Sequence, residues 1–450
     1  MRKAPLRYVL GSSLVCLVAV GVTAVPSPVQ ADTVTGPRPP DPGTSVGKPG
    51  QTSAPAPNVR DAELLRKQDR LLPVARELAE QARAAGSDVG GVSLDVAAGT
   101  VHLYRTDVSR RLELKARVAP GDRVTVHRAK FNRGQMTQAA DRITRDAKLL
   151  GEQRISVQAV GPNVDGSGVT VTVLMRDGVT VNREQSEAGL RARYGDIVAT
   201  VRGDERQTSD KDLFFGGWRF NDYAPWYGGD RIYNGSTGSS CTGGFAAWLG
   251  SSRVMLTAAH CGSSGDYFYN GPTATGGYNF IGTMVYDNDA TDVGAISVTS
   301  MTDWINVGPA EPASGQIYVG SWASPIVGEF LCQSGSFTGE VCDLYVVDTA
   351  QSVCVSWFLW WCTGWQGPLA DVVNWWGPNS YSAGYGDSGA PVYLRTGGGG
   401  VAKGLVHGVL TPNAQAAYPA WAPVSLWCPS PEGWSVRCSA GFSFAHMPGY

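Results

Sequence analysis

The residue composition changes abruptly near Lys211 and divides the chain into two different halves. After Lys211 lie all fourteen tryptophans, eight of the nine cysteines, six Lys/Arg and sixteen Asp/Glu, a charge balance of −10. From Asp32 to Lys211 there are 28 Lys/Arg and 23 Asp/Glu, a balance of +5, and the first 31 residues add +3. At 450 residues the chain is long enough for two or three domains. A basic half joined to an acidic one predicts that the two dock.

The N-terminus has the features of an export signal. Basic residues precede an apolar run over 8–25, and Val29 and Ala31 fit the small-residue cleavage pattern. We expect residues 1–31 to be a signal peptide cut before Asp32, followed over 32–58 by a disordered linker rich in Pro, Gly, Ser and Thr. A membrane anchor is the alternative, but the run is short and broken by Gly and Ser. The sequence thus predicts a secreted protein without stable membrane anchoring.

The local patterns differ between the halves. The apolar spacing over 61–85 and 136–150 is helical, and period-two alternation predicts strands at 91–96, 100–105, 123–128, 155–161 and 169–175. Residues 59–211 are therefore expected to form a small α+β domain that ends in a polar junction at 207–211. Residues 212–450 contain short strands separated by Gly, Ser, Asn and Pro, which predicts an all-β sandwich or barrel.

The cysteines and charges limit the kinds of site the chain can hold. An even number of cysteines in an exported chain favours four disulfides over free thiols. No CxxC pair and no HExxH motif occur, so we expect no metal and no other cofactor. The charges of the basic half alternate in sign and lack aromatic partners, so no nucleic-acid binding is expected. The eight cysteines are Cys241, Cys261, Cys332, Cys342, Cys354, Cys362, Cys428 and Cys438.

Three short segments could together form a nucleophilic site. SAGYGDSGAP places Ser388 among glycines, which is typical either of a surface turn or of a nucleophile whose backbone N–H groups converge. VMLTAAHC ends an apolar strand at His260, although a lone histidine is more often structural. Asp292 directly precedes an apolar strand and can be carried inside, whereas Asp287 and Asp289 lie in a polar turn. Because an orienting carboxylate should be sheltered from water, Asp292 is the preferred candidate.

In this order, TAAHC, DVGAI and GDSGAP resemble the chymotrypsin-like serine peptidases. CTGGF and CQSGSFTGEVC resemble the bacterial branch that includes α-lytic protease and the streptogrisins. The resemblance runs from about Tyr227 onward, and the upstream half resembles the pro-regions of these secreted enzymes through less specific motifs. It implies a mainly β protein with two antiparallel six-stranded β-barrels, the site in the cleft between them, preceded by a small α+β pro-region.

The same resemblance implies a role for each matching residue. Ser388 corresponds to the nucleophile, His260 to the general base and then acid, and Asp292 to the group that fixes the histidine tautomer. The backbone N–H groups of Gly386 and Ser388 correspond to the oxyanion hole. The family also suggests the disulfides Cys241–Cys261 and Cys332–Cys342, after which Cys354–Cys362 and Cys428–Cys438 are the most local remaining pairing.

The residues around the motif suggest a substrate pocket. In the family the residue six before the nucleophile lies at the pocket floor, and here it is Ser382. An Arg or Lys side chain would be buried there without a carboxylate, so we expect no preference for cleavage after either. Ala383 and Tyr385 would add one apolar wall, and Gly408 with Val409 the other. His407 is expected to be structural; facing the pocket instead, it would favour acidic side chains.

Three departures from the family pattern leave open questions. Gly384 stands where many relatives have a cysteine. Gln333 stands where the bacterial branch often has the arginine that pairs with Asp387, so a new N-terminal amine or Arg395 remains a candidate partner. The aromatic segment over 357–376 predicts either barrel packing or an apolar contact surface near the cleft.

The sequence therefore predicts a secreted serine endopeptidase that acts on proteins or peptides through an acyl-enzyme. It would be made as a zymogen whose pro-region, an intramolecular partner, assists folding and inhibits. The alternatives are an esterase with the same triad and a catalytically silent, Trp-rich binding module. Labelling by a serine-directed phosphonate separates the binding module from both enzymes.

Overall fold

The computed structural model describes residues 59–84, 86–175, 182–204, 218–271, 277–310, 313, 315–375, 383–397, 399–409 and 424–427. All of them belong to one compact unit, Gln51–Tyr450. The predicted signal peptide, the linker over 32–58 and the junction over 207–211 lie outside the described residues. Among the residues described, no helix is both long enough and apolar enough to cross a membrane.

The N-terminal half combines helices with short strands, as its sequence patterns predicted, and the structure divides these strands between two sheets. The helix α2 begins at a capping box in which Asn132 and Gln135 bond each other's backbone N–H groups. A later helix, α4, and a sixth strand, β6, were not predicted. The helices are α1 Val59–Arg83, α2 Arg133–Arg145, α3 Ala147–Glu152 and α4 Arg183–Tyr194; the strands are β1 Val89–Asp95, β2 Thr100–Arg105, β3 Arg123–Arg128, β4 Val157–Pro162, β5 Val169–Leu174 and β6 Val198–Asp204.

The C-terminal half is built from strands, which confirms the mainly β fold. Short 3₁₀ turns lie at Trp218–Phe220 and Ala259–Cys261, and another lies in the N-terminal half at Gly195–Ile197. The strands are β7 Trp226–Gly228, β8 Arg231–Asn234, β9 Ser240–Thr242, β10 Ala246–Leu249, β11 Ser252–Thr257, β12 Tyr267–Asn270, β13 Asn279–Asn288, β14 Val293–Val298, β15 Met301–Val307, β16 Gly315–Trp322, β17 Phe330–Gly335, β18 Gly339–Phe358, β19 Trp361–Asn374, β20 Pro391–Thr396, β21 Gly399–Val409 and β22 Val424–Trp427.

These strands form two sheets that divide the C-terminal half. The first is antiparallel, with the order β10-β11-β14-β13-β12-β8-β9. The second has the order β6-β5-β4-β18-β17-β20-β21-β16-β15-β7, with β19 and β22 joined to β18 and β21 at its side. The second sheet is larger than a single barrel because three strands of the N-terminal half extend it. The remaining N-terminal strands form a separate sheet in which β2 lies between antiparallel β1 and parallel β3.

The two halves share a sheet and a hydrophobic core. The strand β4 pairs with β18 through Val160 opposite Ser352 and Ala159 opposite Val353. The side-chain amide of Gln68 both donates to the Phe330 carbonyl at 2.9 Å and accepts from the Phe330 amide at 2.6 Å. Buried apolar side chains of α1, β1 and β2 pack in one cluster with those of β17 to β21. Backbone pairing and apolar contacts therefore join the two halves. The sequence had predicted their docking from opposite net charges alone.

The aromatic segment over 357–376 lies, as far as residue 374, on a long hairpin formed by β18 and β19. Cys354–Cys362 closes this hairpin near its tip. The tip lies against the N-terminal half, because Ser156 Oγ donates to the Trp360 carbonyl at 2.7 Å and a Cβ atom at Gly151 would lie 2.6 Å from that of Trp361. Trp357, Trp361 and Trp365 thus lie against the N-terminal half, whereas Phe358, Trp360 and Trp375 are exposed.

Three of the four expected disulfides are formed: Cys241–Cys261, Cys332–Cys342 and Cys354–Cys362. The remaining two cysteines, Cys428 and Cys438, lie outside the described residues. The first disulfide ties the turn that carries His260 to β9, and this tie positions the candidate site.

Candidate active site

His260 lies at the end of a buried strand. Val254, Met255 and Leu256 of β11 are buried in the core, and the chain then turns sharply over Ala259–Cys261. The apolar strand anchors the turn, and the disulfide from Cys261 to Cys241 holds its far end. The imidazole therefore lies at the protein surface on a turn that is fixed at both ends.

Asp292 lies beneath that imidazole. It directly precedes β14, is 1 % exposed and has a φ of 53°. Its Oδ2 and Oδ1 atoms lie 2.8 and 3.0 Å from His260 Nδ1, and Oδ1 also accepts from the His260 backbone N–H at 2.9 Å. Asp287 and Asp289 are exposed, and Asp287 accepts a hydrogen bond from Ser264 Oγ. The structure thus brings His260 together with Asp292, the aspartate preferred from the sequence.

The contacts of these two groups set their charges. Burial alone would raise the pKa of Asp292, but hydrogen bonds from His260 and His407 outweigh it and lower that pKa well below its usual range. Burial opposes a charge on His260, yet the hydrogen bond to Asp292 and its negative charge outweigh this effect and raise the pKa of His260. An ionised aspartate therefore supports an imidazole that is well suited to accept a proton.

Ser388 lies in a tightly packed glycine turn beside the His260 turn. Gly386 and Gly389 have φ values of 86° and 83°, in the left-handed region that favours glycine. A Cβ atom at Gly386 would lie 2.2 Å from the Phe337 ring. The Ser388 carbonyl accepts from Thr242 N at 2.8 Å and lies 3.8 Å from Cys261 Sγ. The turn is thereby held against the disulfide that also fixes His260.

Two backbone N–H groups of this turn have no acceptor among the residues that the structure describes. Within the described part of the chain, neither Gly386 N–H nor Ser388 N–H donates to a backbone or side-chain acceptor. The Gly386 carbonyl is held in place, since it accepts from Thr242 Oγ1 at 2.8 Å. Two fixed N–H groups next to a serine hydroxyl are the arrangement that stabilises a developing oxyanion.

Asp387 is fully buried and is held by neutral donors. Its Oδ1 accepts from the backbone N–H groups of Phe337 and Thr338 at 3.0 and 3.2 Å, and its Oδ2 accepts from Thr338 Oγ1 at 2.5 Å and Gly384 N at 2.8 Å. Gln333, at the position where an arginine was considered, donates to Thr338 Oγ1 at 2.8 Å. Burial nevertheless raises the pKa of Asp387.

Neither charged partner considered from the sequence is needed to account for Asp387. The Arg395 guanidinium pairs with Glu340 at 2.8 Å. A buried cation that the sequence analysis missed, Arg219, donates to the Gly335 carbonyl at 2.9 Å, and a Cβ atom at Gly335 would lie 2.0 Å from Asp387 Oδ1. No local sequence pattern marks Arg219, because its contacts come from residues far along the chain.

The candidate pocket residues are only partly described. Ala383 is buried, Tyr385 is 38 % exposed, and a Cβ atom at Gly408 would meet only open space. Ser382 and the side chain of Val409 lie outside the described residues. His407 was expected to be structural, and its Nδ1 atom donates a hydrogen bond to Asp292 Oδ2.

The side chains of His260, Asp292 and His407 are also a group with the spacing of a metal site, since their ligand atoms lie within 4.8 Å of one another. Both Nδ1 atoms are engaged by hydrogen bonds to Asp292. A bound cation would have to replace both of those hydrogens. This arrangement fits hydrogen bonding among the three side chains, and the expectation of a metal-free site stays a prediction.

No protein-family profile and no curated protein sequence matches this chain. Solved structures similar to it include serine proteases of bacterial origin. Thermobifida fusca protease A is 24 % identical over 47 % of this chain and 95 % of its own, with a TM-score of 0.34. The Nocardiopsis protease is 23 % identical over 45 % and 91 %, with a TM-score of 0.34. Cellulomonas bogoriensis chymotrypsin is 20 % identical over 48 % and 94 %, with a TM-score of 0.33.

Proposed function

We propose that the C-terminal half is a secreted serine endopeptidase and that the N-terminal half is its inhibitory pro-region. The observation that carries this proposal is the buried, ionised Asp292 hydrogen-bonded to His260, beside a glycine turn that contains Ser388 and two N–H groups with no acceptor in the described part of the chain. Three disulfides fit an extracellular location.

The reaction follows from the proton positions. Since Asp292 is an acceptor only, the hydrogen of the contact lies on His260 Nδ1, and Nε2 has a free lone pair. Nε2 takes the Ser388 proton as Oγ attacks the peptide carbonyl, and Asp292 stabilises the resulting imidazolium. The N–H groups of Gly386 and Ser388 bind the oxyanion. His260 then protonates the leaving amine, and a water deprotonated by the same nitrogen hydrolyses the acyl-enzyme.

The primary pocket is proposed to favour uncharged, medium or large apolar side chains. Ser382 would lie at its floor, Ala383 and Tyr385 on one wall and Gly408 on the other. No carboxylate is supplied by these four residues, and a buried unpaired Arg or Lys side chain costs several kcal/mol, roughly 3–5. The Nδ1 atom of His407 is hydrogen-bonded to Asp292, so only Nε2 of this ring could contact a substrate side chain.

A defined peptide library with the secreted protein tests this function. We expect cleavage predominantly after uncharged apolar residues and labelling of Ser388 by a serine-directed phosphonate, read by mass spectrometry. Predominant cleavage after Arg or Lys would contradict the pocket, whereas hydrolysis of simple esters with no peptide cleaved would favour an esterase. A C-terminal half that has been freed of the N-terminal half and still neither cleaves nor is labelled would be the silent binding module.

The contacts between the halves support the inhibitor role. Strand pairing between β4 and β18 and the Gln68–Phe330 hydrogen bonds are of the kind that separate chains form when one adds a strand to another. The opposite net charges would speed encounter without contributing most of the affinity. Residues 59–204 added as a separate chain should therefore inhibit the C-terminal half, with slower onset at high salt.

Gly151→Ala offers a sharp test of that interface. Alanine is about 1 kcal/mol more favourable than glycine inside a helix, so the isolated N-terminal half should be no less stable. In the complex, however, the new methyl group would lie 2.6 Å from the Trp361 Cβ. We expect inhibition to weaken by about 5- to 150-fold, because an overpacked contact typically costs roughly 1–3 kcal/mol. Inhibition constants on a peptide substrate measure the effect.

Gly134→Ala is the matched control. It changes the same residue type in a helix of the same half, but a Cβ atom at Gly134 would contact only the neighbouring Asn132 side chain, at 3.5 Å. Inhibition should be unchanged. Equal inhibition by both variants would contradict the proposed interface, and no inhibition by the unmodified N-terminal half would reduce it to a spacer.

A further inference from the structure

Asp292 is shared by two histidines. The Nδ1 atom of His260 lies 2.8 Å from Asp292 Oδ2, and the Nδ1 atom of His407, on β21, lies 2.5 Å from the same oxygen. The two rings are perpendicular, with centroids 5.8 Å apart. The aspartate side chain is fully buried between them, while the His407 side chain is 15 % exposed and that of His260 is 41 % exposed.

These contacts fix the tautomers of both rings. An ionised carboxylate only accepts, so each Nδ1 atom must carry the hydrogen it donates. Neutral His260 and neutral His407 therefore both have their free lone pair on Nε2. The hydrogen bond from His407 leaves His260 in the tautomer that a general base requires and does not compete for its proton.

The two rings hold the carboxylate from different directions. Oδ1 accepts from the His260 backbone N–H, and Oδ2 accepts from both Nδ1 atoms. Rotation of the carboxylate about its Cβ–Cγ bond would move Oδ2 away from His407 and break that hydrogen bond. The hydrogen bond to His260 could persist, because both carboxylate oxygens lie close to His260 Nδ1. His407 lies on β21, next to the candidate pocket residue Gly408. Its hydrogen bond to Asp292 therefore connects β21 to the start of β14.

We propose that His407 is a positioning residue for catalysis: it holds the Asp292 carboxylate in the orientation that the His260 imidazolium needs. This inference rests on the proposed peptidase function. In this role His407 acts through Asp292 and does not touch the substrate. Because the imidazolium forms only during the reaction, loss of the contact should lower kcat and leave KM nearly unchanged.

Two variants separate the hydrogen bond from the space that the ring fills. His407→Leu keeps an apolar side chain of similar size but removes the donor. His407→Asn places an amide N–H close to the position of Nδ1 and does not titrate near neutral pH. We expect kcat to fall about 10- to 100-fold in the leucine variant, the effect typical of one hydrogen bond to a charged group. The asparagine variant should stay within about 5-fold of wild type.

Proton NMR of the full chain with ¹⁵N-labelled histidine gives a second readout that does not depend on turnover. Wild type should show two low-field imidazole N–H protons, one for each histidine bound to Asp292, and His407→Asn should retain only the signal of His260. Wild-type spectra with a single such proton would overturn the proposal. This measurement decides the matter even if the leucine variant fails to fold.

The outcomes distinguish the inference from the function on which it rests. Unreduced kcat in a folded His407→Leu variant, with wild type labelled at Ser388 by a phosphonate, would overturn the positioning role alone. An asparagine variant as slow as the leucine variant would also overturn it, because the donor would then not matter. Absence of both labelling and cleavage in a wild-type C-terminal half freed of the N-terminal half would overturn the peptidase proposal and the positioning role with it.

Discussion

Replacing Ser388 with alanine is expected to lower kcat/KM for peptide hydrolysis by roughly 10⁴- to 10⁶-fold, because removal of a nucleophile disables the whole catalytic unit. The protein should still fold, since the contacts of Ser388 with Thr242 and Cys261 run through its backbone carbonyl. The N-terminal half should bind the variant as before. Initial rates on the best library peptide and a thermal unfolding curve measure the two properties.

Ser264→Ala is the matched control for this experiment. Ser264 is exposed and hydrogen-bonded to Asp287, outside the candidate active site. Its replacement should leave the rate within about 2-fold, as expected of a surface change of less than 0.5 kcal/mol. Undiminished hydrolysis by the Ser388→Ala protein would remove Ser388 from the nucleophile role and leave its glycine turn as a structural element.

Asp292→Asn should be the second most damaging change, with a loss of roughly 10⁴-fold in kcat. The amide cannot balance the charge of the His260 imidazolium. Since the Asp292 carboxylate raises the pKa of His260, its loss should lower that pKa. Activity needs neutral His260, so the acid limb of the kcat/KM profile should move to lower pH. A pH series of initial rates measures both effects.

Asp287→Asn and Asp289→Asn are the controls, because both residues are exposed. Their effects should stay within a few-fold of wild type, in line with exposed charges worth about 1 kcal/mol or less. A severe loss in either control together with a mild loss at Asp292 would relocate the orienting carboxylate and overturn the site as proposed.

Local patterns in the sequence were sufficient for much of the fold. Apolar spacing predicted α1, and alternation predicted β1 to β5, because both follow from which face of a segment is buried. The choice of Asp292 over Asp287 and Asp289 came from the same reasoning, as the strand that follows Asp292 carries it into the interior. The helix α4 and the strand β6 were missed, since α4 is predominantly polar and charged and its sequence marks no clear apolar face.

What the sequence could not predict depends on contacts between distant residues. The pairing of β4 with β18, the donation from His407 to Asp292 and the placement of Arg219 next to Gly335 each join segments from different parts of the chain. No local propensity encodes such contacts. The partner of Asp387 was left open for the same reason: Thr338 and Gln333 become its neighbours only when β17 and the turn after it fold against the glycine turn.

The hydrogen bonds of Asp387 leave no acceptor position for a new partner. A carboxylate offers about four acceptor positions, and here two backbone N–H groups on one oxygen and a hydroxyl and an N–H on the other occupy them. An ammonium group freed by cutting the chain would have to displace one of these donors to reach it. If the proposed function holds, cutting the chain would not by itself change the hydrogen bonds of Asp387, which lies between the proposed oxyanion donors Gly386 and Ser388. Activation would then require the N-terminal half to dissociate or be digested. The rate of activation would be set by how long the N-terminal half stays bound to the C-terminal half.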